Sequence, residues 1–323
     1  MAKISVLSER VTQKLELLWK CSGAWPDYTQ AMRSALNFGY ASSDTRGKGF
    51  SHLLELPGLC CQAAGGEPGW ADDLALAWLL YYGAAQLMDN VQDGDEPDAW
   101  WRDQGAGFAL STASGLYFTA SLALDSIHHH PATQAKAAEV IGDFLRTIMV
   151  MGSGQHADLT RPLLTLDQYW QQADTKSGAF FALGCRVGAR LATSDAGVLS
   201  EYTGIGRNFG LLIQITDDLE DVCSQHDYGA PGQKRSFPRS LPVVYALEVL
   251  PPDQAARLRG CLQAAPQSEE AAQEAISWVD RSGAADYVMV EIERYKGRAL
   301  DALGRAEPRP PAGGYLAKLI QDF

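Results

Sequence analysis

The sequence has no stretch in which apolar and polar residues alternate long enough to make a β-strand, no C-x-x-C pair and no basic excess. The missing alternation excludes sandwiches and barrels, whose half-buried strands need a period of two. The six cysteines (Cys21, Cys60, Cys61, Cys185, Cys223, Cys261) lie mostly in apolar helical surroundings, where a buried free thiol is the ordinary state, and this predicts a reducing, cytoplasmic setting. With 27 Lys and Arg against 39 Asp and Glu, the net charge is -12. That balance excludes a nucleic-acid partner, because phosphate contacts need clustered cations. A phosphorylated substrate would need local help from metal ions or a few placed basic residues. The amino-terminal MAKISVLSERVTQKLELLWK carries charges throughout and has no apolar core of signal-peptide type. No stretch is expected to be long and apolar enough to span a bilayer, so no stable membrane insertion is predicted, although a lipid-like substrate stays open.

What is present is helical periodicity over 323 residues, 46% of them hydrophobic. Apolar residues recur at three-and-four spacing over 53–61, 74–92, 107–127, 135–153, 166–191, 204–222, 241–250, 254–265, 271–282 and 287–303, which predicts helices there. The breaks are short and rich in Gly, Pro or polar residues: GGEPG (65–69), HHHP (128–131), TRP (160–162), PPD (251–253) and RPPAGG (309–314). None is long enough to separate domains, so a single all-α domain over 1–323 is expected. Two longer breaks, 94–107 and 224–239, each follow an acidic cluster, and long polar loops in a compact domain are often functional lids. The histidine run His128 to His130 sits at a helix end before Pro131. It has no i, i+4 partner and no cysteine pattern, so it is expected to be a solvated last turn rather than a zinc site.

The acidic clusters carry the chemistry. In QITDDLEDV (214–222), Asp217, Asp218 and Asp221 spell D-D-x-x-D. On a helix Asp217 and Asp221 share a face, and Asp218 lies about 100° away. The first cluster, in MDNVQD (88–93), repeats the i, i+4 pair with Asp89 and Asp93, and Asn90 falls off their shared face. Stacked carboxylates repel one another unless a cation or protons compensate. Oxygen-only ligands suit a hard cation, above all Mg2+, which completes its shell with water and substrate phosphate.

With both clusters in view, the chain resembles the trans-isoprenyl diphosphate synthases of the class I terpenoid synthase superfamily, in order over about residues 45–300. TRGKGFSHLLELPGLCCQAAGG (45–66) is similar to that family's G-K-x-x-R-P segment, GSGQHADL (152–159) to its G-Q-x-x-D-L element, and TKSGAFFALGCRVGA (175–189) to its T/K-T-G-x-L-F helix. GRNFGLLIQITDDLEDV (206–222) resembles the F-Q-I-x-D-D-x-x-D helix, and SLPVVYAL (240–247) the T-L-P-x-x-Y-A-L segment. The resemblance implies an all-α bundle around a deep central apolar pocket, a homodimer, and three Mg2+ ions that bridge the acids to the diphosphate of an allylic prenyl substrate. It implies Asp89, Asp93, Asp217, Asp218 and Asp221 as metal ligands. Lys176 matches the family's diphosphate-binding lysine, Gln214 its polar residue one turn before the acids, and Gln155 and Asp158 the element on a neighbouring helix. Lys48 matches the G-K lysine, while Lys234 and Arg235 lie in the loop where relatives often carry a phosphate-reaching lysine. Tyr81, Tyr82, Ala85 and Phe181 are candidates for lining the prenyl tail's pocket. Ala84 and Ala85 are too small to block a tail and Tyr81 could form a floor two turns below Asp89, which suggests a substrate of about fifteen to twenty carbons.

The departures fall on the second substrate's side. Chain elongation requires isopentenyl diphosphate, whose phosphates need cations, yet Gly49, Ser51 and His52 stand where the family has Arg, Arg and Pro. Tyr82 falls at a family His, and EPDAWW (96–101) replaces an Arg pair, with Arg102 the one candidate substitute. Each charge-assisted contact is worth about 1.5–3 kcal/mol, so losing several cripples such a site. The expectation is therefore a Mg2+-dependent class I terpene synthase that ionises a prenyl diphosphate without using isopentenyl diphosphate. The alternatives are an atypical prenyltransferase, elongating or prenylating another acceptor, and a non-catalytic regulatory subunit of a prenyl synthase.

Overall fold

A computed structural model describes residues 9–44, 55–67, 69–93, 100–160, 165–224 and 239–323. Among them the regular elements are helices throughout, as the periodicity predicts. In order they are α1 (Glu9–Ser22), α2 (Pro26–Asp44), α3 (Leu56–Ala63), α4 (Asp72–Asp93) and α5 (Ala106–Ser126). They continue with α6 (Ala137–Thr160), α7 (Leu166–Ala173), a π-helical turn at Asp174–Gly178, α8 (Ala179–Ala192) and α9 (Ala196–Ser224). The last are α10 (Leu241–Val249), α11 (Pro252–Ala264), α12 (Glu269–Arg281), α13 (Ala284–Arg305) and α14 (Ala312–Gln321). Helices α1, α2 and α14 are additions to the sequence reading. The first two are amphipathic stretches punctuated by polar residues, and α14 begins inside the RPPAGG break.

The chain forms two compact units. One takes Met1–Phe144, Gly184–Ser200 and Glu307–Leu316, and the other Leu145–Leu183, Glu201–Ala306 and Ala317–Phe323.

In the first unit α4 lies along α5 over most of its length. The reason is composition: the buried face of α5 is Ala109, Thr112, Ala113, Gly115, Leu116, Thr119, Ala120 and Ala123, small enough for close approach. A Cβ on Gly115 would lie 2.6 Å from the Tyr28 hydroxyl, so α2 also crosses there at minimal distance. The buried run of α4 is continuous from Leu76 through Tyr81, with Trp78 1% exposed. Helix α5 with its following turn, Ala106–His129, is long and apolar enough to cross a membrane by length and composition. This corrects the expectation that no stretch qualifies. Half of its apolar window is buried, as core helices are.

The second unit is built on α9 and the α10–α13 helices. Val222, Val243, Ala246, Leu247, Leu258, Ala275 and Val279 form one apolar cluster there. Helix α7 starts at a capping box: Gln168 N–H donates to Thr165 Oγ1 at 3.3 Å and Thr165 N–H to Gln168 Oε1 at 3.0 Å. Such a cap stabilises a helix start by about 1 kcal/mol. Leu166 N–H also donates to Glu248 Oε2 at 2.9 Å, which ties this start to α10.

Candidate active site

The first acid motif closes α4, and the side chains above it are layered. Tyr81, 4% exposed, packs its ring 5.4 Å from Tyr117 and 5.6 Å from Phe144. One turn on, Ala84 is fully buried. Tyr82, Ala85 and Asp89 are half-buried, and the side chain of Asp93 lies outside the described residues. Tyr81 is thus locked in an aromatic trio and cannot swing aside without breaking it. Phe118 on α5 faces solvent at 69% exposure. The Trp101 ring is buried, with its Nε1–H unpaired among the described residues.

The second motif is built by close backbone contact. Gly206 and Gly210 stand one turn apart on α9; a Cβ at the first would lie 2.2 Å from Phe181 O, and at the second 2.3 Å from Ser177 O. Only glycine lets α9 approach this near, and the approach sets the π-helical turn carrying Lys176 beside the acidic turn of α9. Gly154 on α6 does the same from another side, since its Cβ would meet Thr175 and Lys176 side chains at 2.9 and 3.2 Å. Single π-turns in long helices are frequent at functional sites because the inserted residue redirects its neighbours.

Within this frame Lys176 Nζ donates to Asp158 Oδ2 at 2.9 Å. Arg239 Nη1 donates to the same residue, at its backbone carbonyl and, at 3.2 Å, at Oδ1. Ser177 Oγ donates to Gln214 Oε1 at 2.6 Å, and Gln214 Nε2 donates to Asp218 Oδ1 at 2.9 Å. Asp218 Oδ2 accepts from Tyr169 OH at 2.5 Å and from Leu241 N–H at 2.7 Å. Burial first, then the Asp218 charge, push the Tyr169 phenol well above its ordinary value, so it stays protonated and donating. Asp217, Gln155 and Glu220 are half-buried. Phe181 is core, in edge contact with Phe180 and Phe209.

The structure therefore brings Lys176 to Asp158 and Gln214 to Asp218 in two hydrogen-bonded sets, joined into one network through the backbone at 176–177 and 239–241. Sequence reasoning missed three members of it: Arg239, Tyr169 and Ser177. The available signal for Tyr169 was its spacing, seven residues before Lys176 on one helical face. Lys48, Lys234, Arg235 and the substituted positions Gly49, Ser51 and His52 lie outside the described residues, as does the side chain of Asp221.

Among the described residues no three His, Cys, Asp or Glu side chains stand close enough to hold an ion unaided. The acids supply hard oxygen donors in small number. That fits Mg2+, which takes most of its ligands from water and substrate phosphate.

Comparison with known proteins gives the family and the fold. Residues 60–279 match the family model described as Polyprenyl synthetase. The chain belongs to the polyprenyl synthetase family. Over 235 residues it is 28% identical to (2E,6E)-farnesyl diphosphate synthase from Mycobacterium tuberculosis, covering 67% of this chain and 63% of that protein. It thus spans somewhat less than two thirds of that relative. It is 26% identical over 136 residues to tryptophan prenyltransferase ComQ from Bacillus subtilis subsp. natto, covering 42% of this chain and 40% of that one. The solved structure of geranylgeranyl pyrophosphate synthetase from Pyrococcus horikoshii superposes with a TM-score of 0.76 at 20% identity, covering 97% of this chain and 96% of that chain. The fold is that of the isoprenyl synthases.

Proposed function

We propose that this chain is a Mg2+-dependent prenyltransferase that ionises an allylic prenyl diphosphate, of about fifteen to twenty carbons, and passes the prenyl group to an acceptor. The observation that carries this reading is the Lys176–Asp158–Arg239 cluster, in a chain matched by the family over both acid motifs. Lys176 and Arg239 bind and orient the diphosphate, and the carboxylates of the two motifs, Asp217 in one and Asp89 and Asp93 in the other, would supply oxygen ligands to Mg2+. When bound, the metal supplies the positive charge against which the diphosphate leaves. The carbon–oxygen bond breaks with its electron pair going to the diphosphate, the acceptor's electrons form the new carbon–carbon bond, and a proton is lost. The buried Tyr81 and Phe144 rings, with the half-buried Tyr117, give an apolar surface suited to the tail.

Transfer is preferred to the terpene synthase expected from sequence because the relatives similar in sequence are named diphosphate synthases and a prenyltransferase. The replacement of the Arg pair by EPDAWW (96–101) favours the second reading, ionisation without isopentenyl diphosphate. A homodimer is part of the proposal. Leu110, Phe118 and Leu122, 39%, 69% and 44% exposed, fall on one face of α5 and give an apolar patch of the kind oligomers cover.

Incubation of the purified protein with Mg2+ and ten-, fifteen- or twenty-carbon allylic diphosphates, with and without isopentenyl diphosphate, separates the readings. Longer diphosphates formed only with isopentenyl diphosphate are expected. Hydrocarbons or alcohols formed equally without it would replace transfer with the terpene synthase reading.

A further inference from the structure

The middle acid of D-D-x-x-D is placed differently from its neighbour. Asp218 is 6% exposed, whereas Asp217 is half-buried. Three protein donors already occupy its carboxylate: Tyr169 OH and Leu241 N–H on Oδ2, Gln214 Nε2–H on Oδ1. A carboxylate has about four lone-pair positions, so a metal would have to compete with these bonds or displace them.

Each of the three bonds leads back to the cations. Leu241 is the first residue of α10, and its N–H is one of the donors a helix start leaves unsatisfied. Ser240, at the N-cap position, makes no side-chain cap, and its buried hydroxyl has no partner among the described residues. Asp218 therefore caps α10 from another helix, with negative charge at the end that favours it. Two residues before Leu241 is Arg239, bonded to Asp158. On the other oxygen, Gln214 passes the connection to Ser177, the neighbour of Lys176. Tyr169 anchors the carboxylate from α7, the helix that runs into the π-turn.

We propose that Asp218 is a positioning residue rather than a metal ligand: its carboxylate fixes the start of α10 and the Gln214–Ser177 link to α9, and so holds Arg239 and Lys176 in register. Asp217 is then the acid of this pair that meets the metal. The catalytic consequence rests on the function proposed above, while the packing consequence does not.

The test compares Asp218→Asn, Tyr169→Phe, their double variant and Asp217→Asn. In metal-free buffer with EDTA, the urea midpoint is expected to fall in Asp218→Asn and in Tyr169→Phe. Asn turns an NH2 towards at least one of the three donors, and a roughly tenfold or greater loss in the folding equilibrium follows. The double variant should lose less than the two single losses combined, because both remove the same bond. Asp217→Asn should not lower the midpoint. The Mg2+-dependent thermal shift measured with inorganic pyrophosphate reads metal affinity without turnover. Its half-saturating Mg2+ concentration should stay within about twofold of wild type in Tyr169→Phe and rise roughly tenfold in Asp217→Asn. An unchanged urea midpoint in both Asp218→Asn and Tyr169→Phe, or a Mg2+ shift in Asp218→Asn as large as in Asp217→Asn, would overturn the assignment. Absence of turnover in the wild-type protein would instead sink the proposed function and leave the metal-free comparison standing.

Discussion

Lys176 owes its place to a residue pattern and its orientation to a local defect. The T-K-S-G segment marks the position in sequence, and the π-turn at Asp174–Gly178 directs the ammonium to Asp158. Both partners are about a quarter exposed, so the pair itself adds little to stability, and its worth lies in a cation held ready for phosphate. Lys176→Met is accordingly expected to leave thermal unfolding nearly unchanged. It should lower kcat/KM for the prenyl diphosphate roughly ten- to hundredfold, the loss of one charge-assisted contact. Pyrophosphate release kinetics alongside a melting curve would check this, and a large drop in stability with unchanged kcat/KM would refute it. At this scale family spacing marked Lys176, Asp158 and Gln214 as candidates, and the structure places each in a hydrogen-bonded set. Arg239 and Tyr169 were hidden, since their partners stand 81 and 49 positions away, a relation that helical periodicity does not encode.

Between elements, glycine decides the geometry. At Gly210 the atoms an added Cβ would strike, Ser177 O at 2.3 Å and Ser177 C at 2.8 Å, are backbone and have no rotamer to yield. Gly210→Ala must therefore push α9 from the π-turn, at a cost of about 1–3 kcal/mol, with activity falling further than stability because the turn carrying Lys176 is displaced. Gly297 in α13 has nothing within 4 Å of its would-be Cβ. Gly297→Ala should stabilise by about 0.4–1 kcal/mol through the unfolded state and leave turnover intact. Thermal unfolding of both variants checks the contrast; equal effects would show that the α9 approach is not limiting. The helix positions themselves were largely legible, with ends shifted by a few residues. The exceptions were α1, α2 and α14, short or interrupted segments whose apolar residues find their face only after packing.

For the whole molecule the open question is what covers the apolar face of α5. Phe118→Asp is expected to shift the sedimentation coefficient from that of a dimer towards a monomer while far-UV circular dichroism stays helical. A sedimentation coefficient that does not change would remove this face from the proposed interface. Removal of Mg2+ with EDTA should abolish turnover, and added Mg2+ should restore it, with the urea midpoint little changed, since no described ion site stitches the helices together. The sequence by itself determined the all-α class, the family and the two acidic motifs, because helical period and motif spacing are local properties of the chain. Which acid of D-D-x-x-D stands buried behind three donors, which glycines let helices touch, and that Arg239 meets Asp158 were decided only by tertiary structure. Each depends on atoms far apart in the chain, brought together by packing.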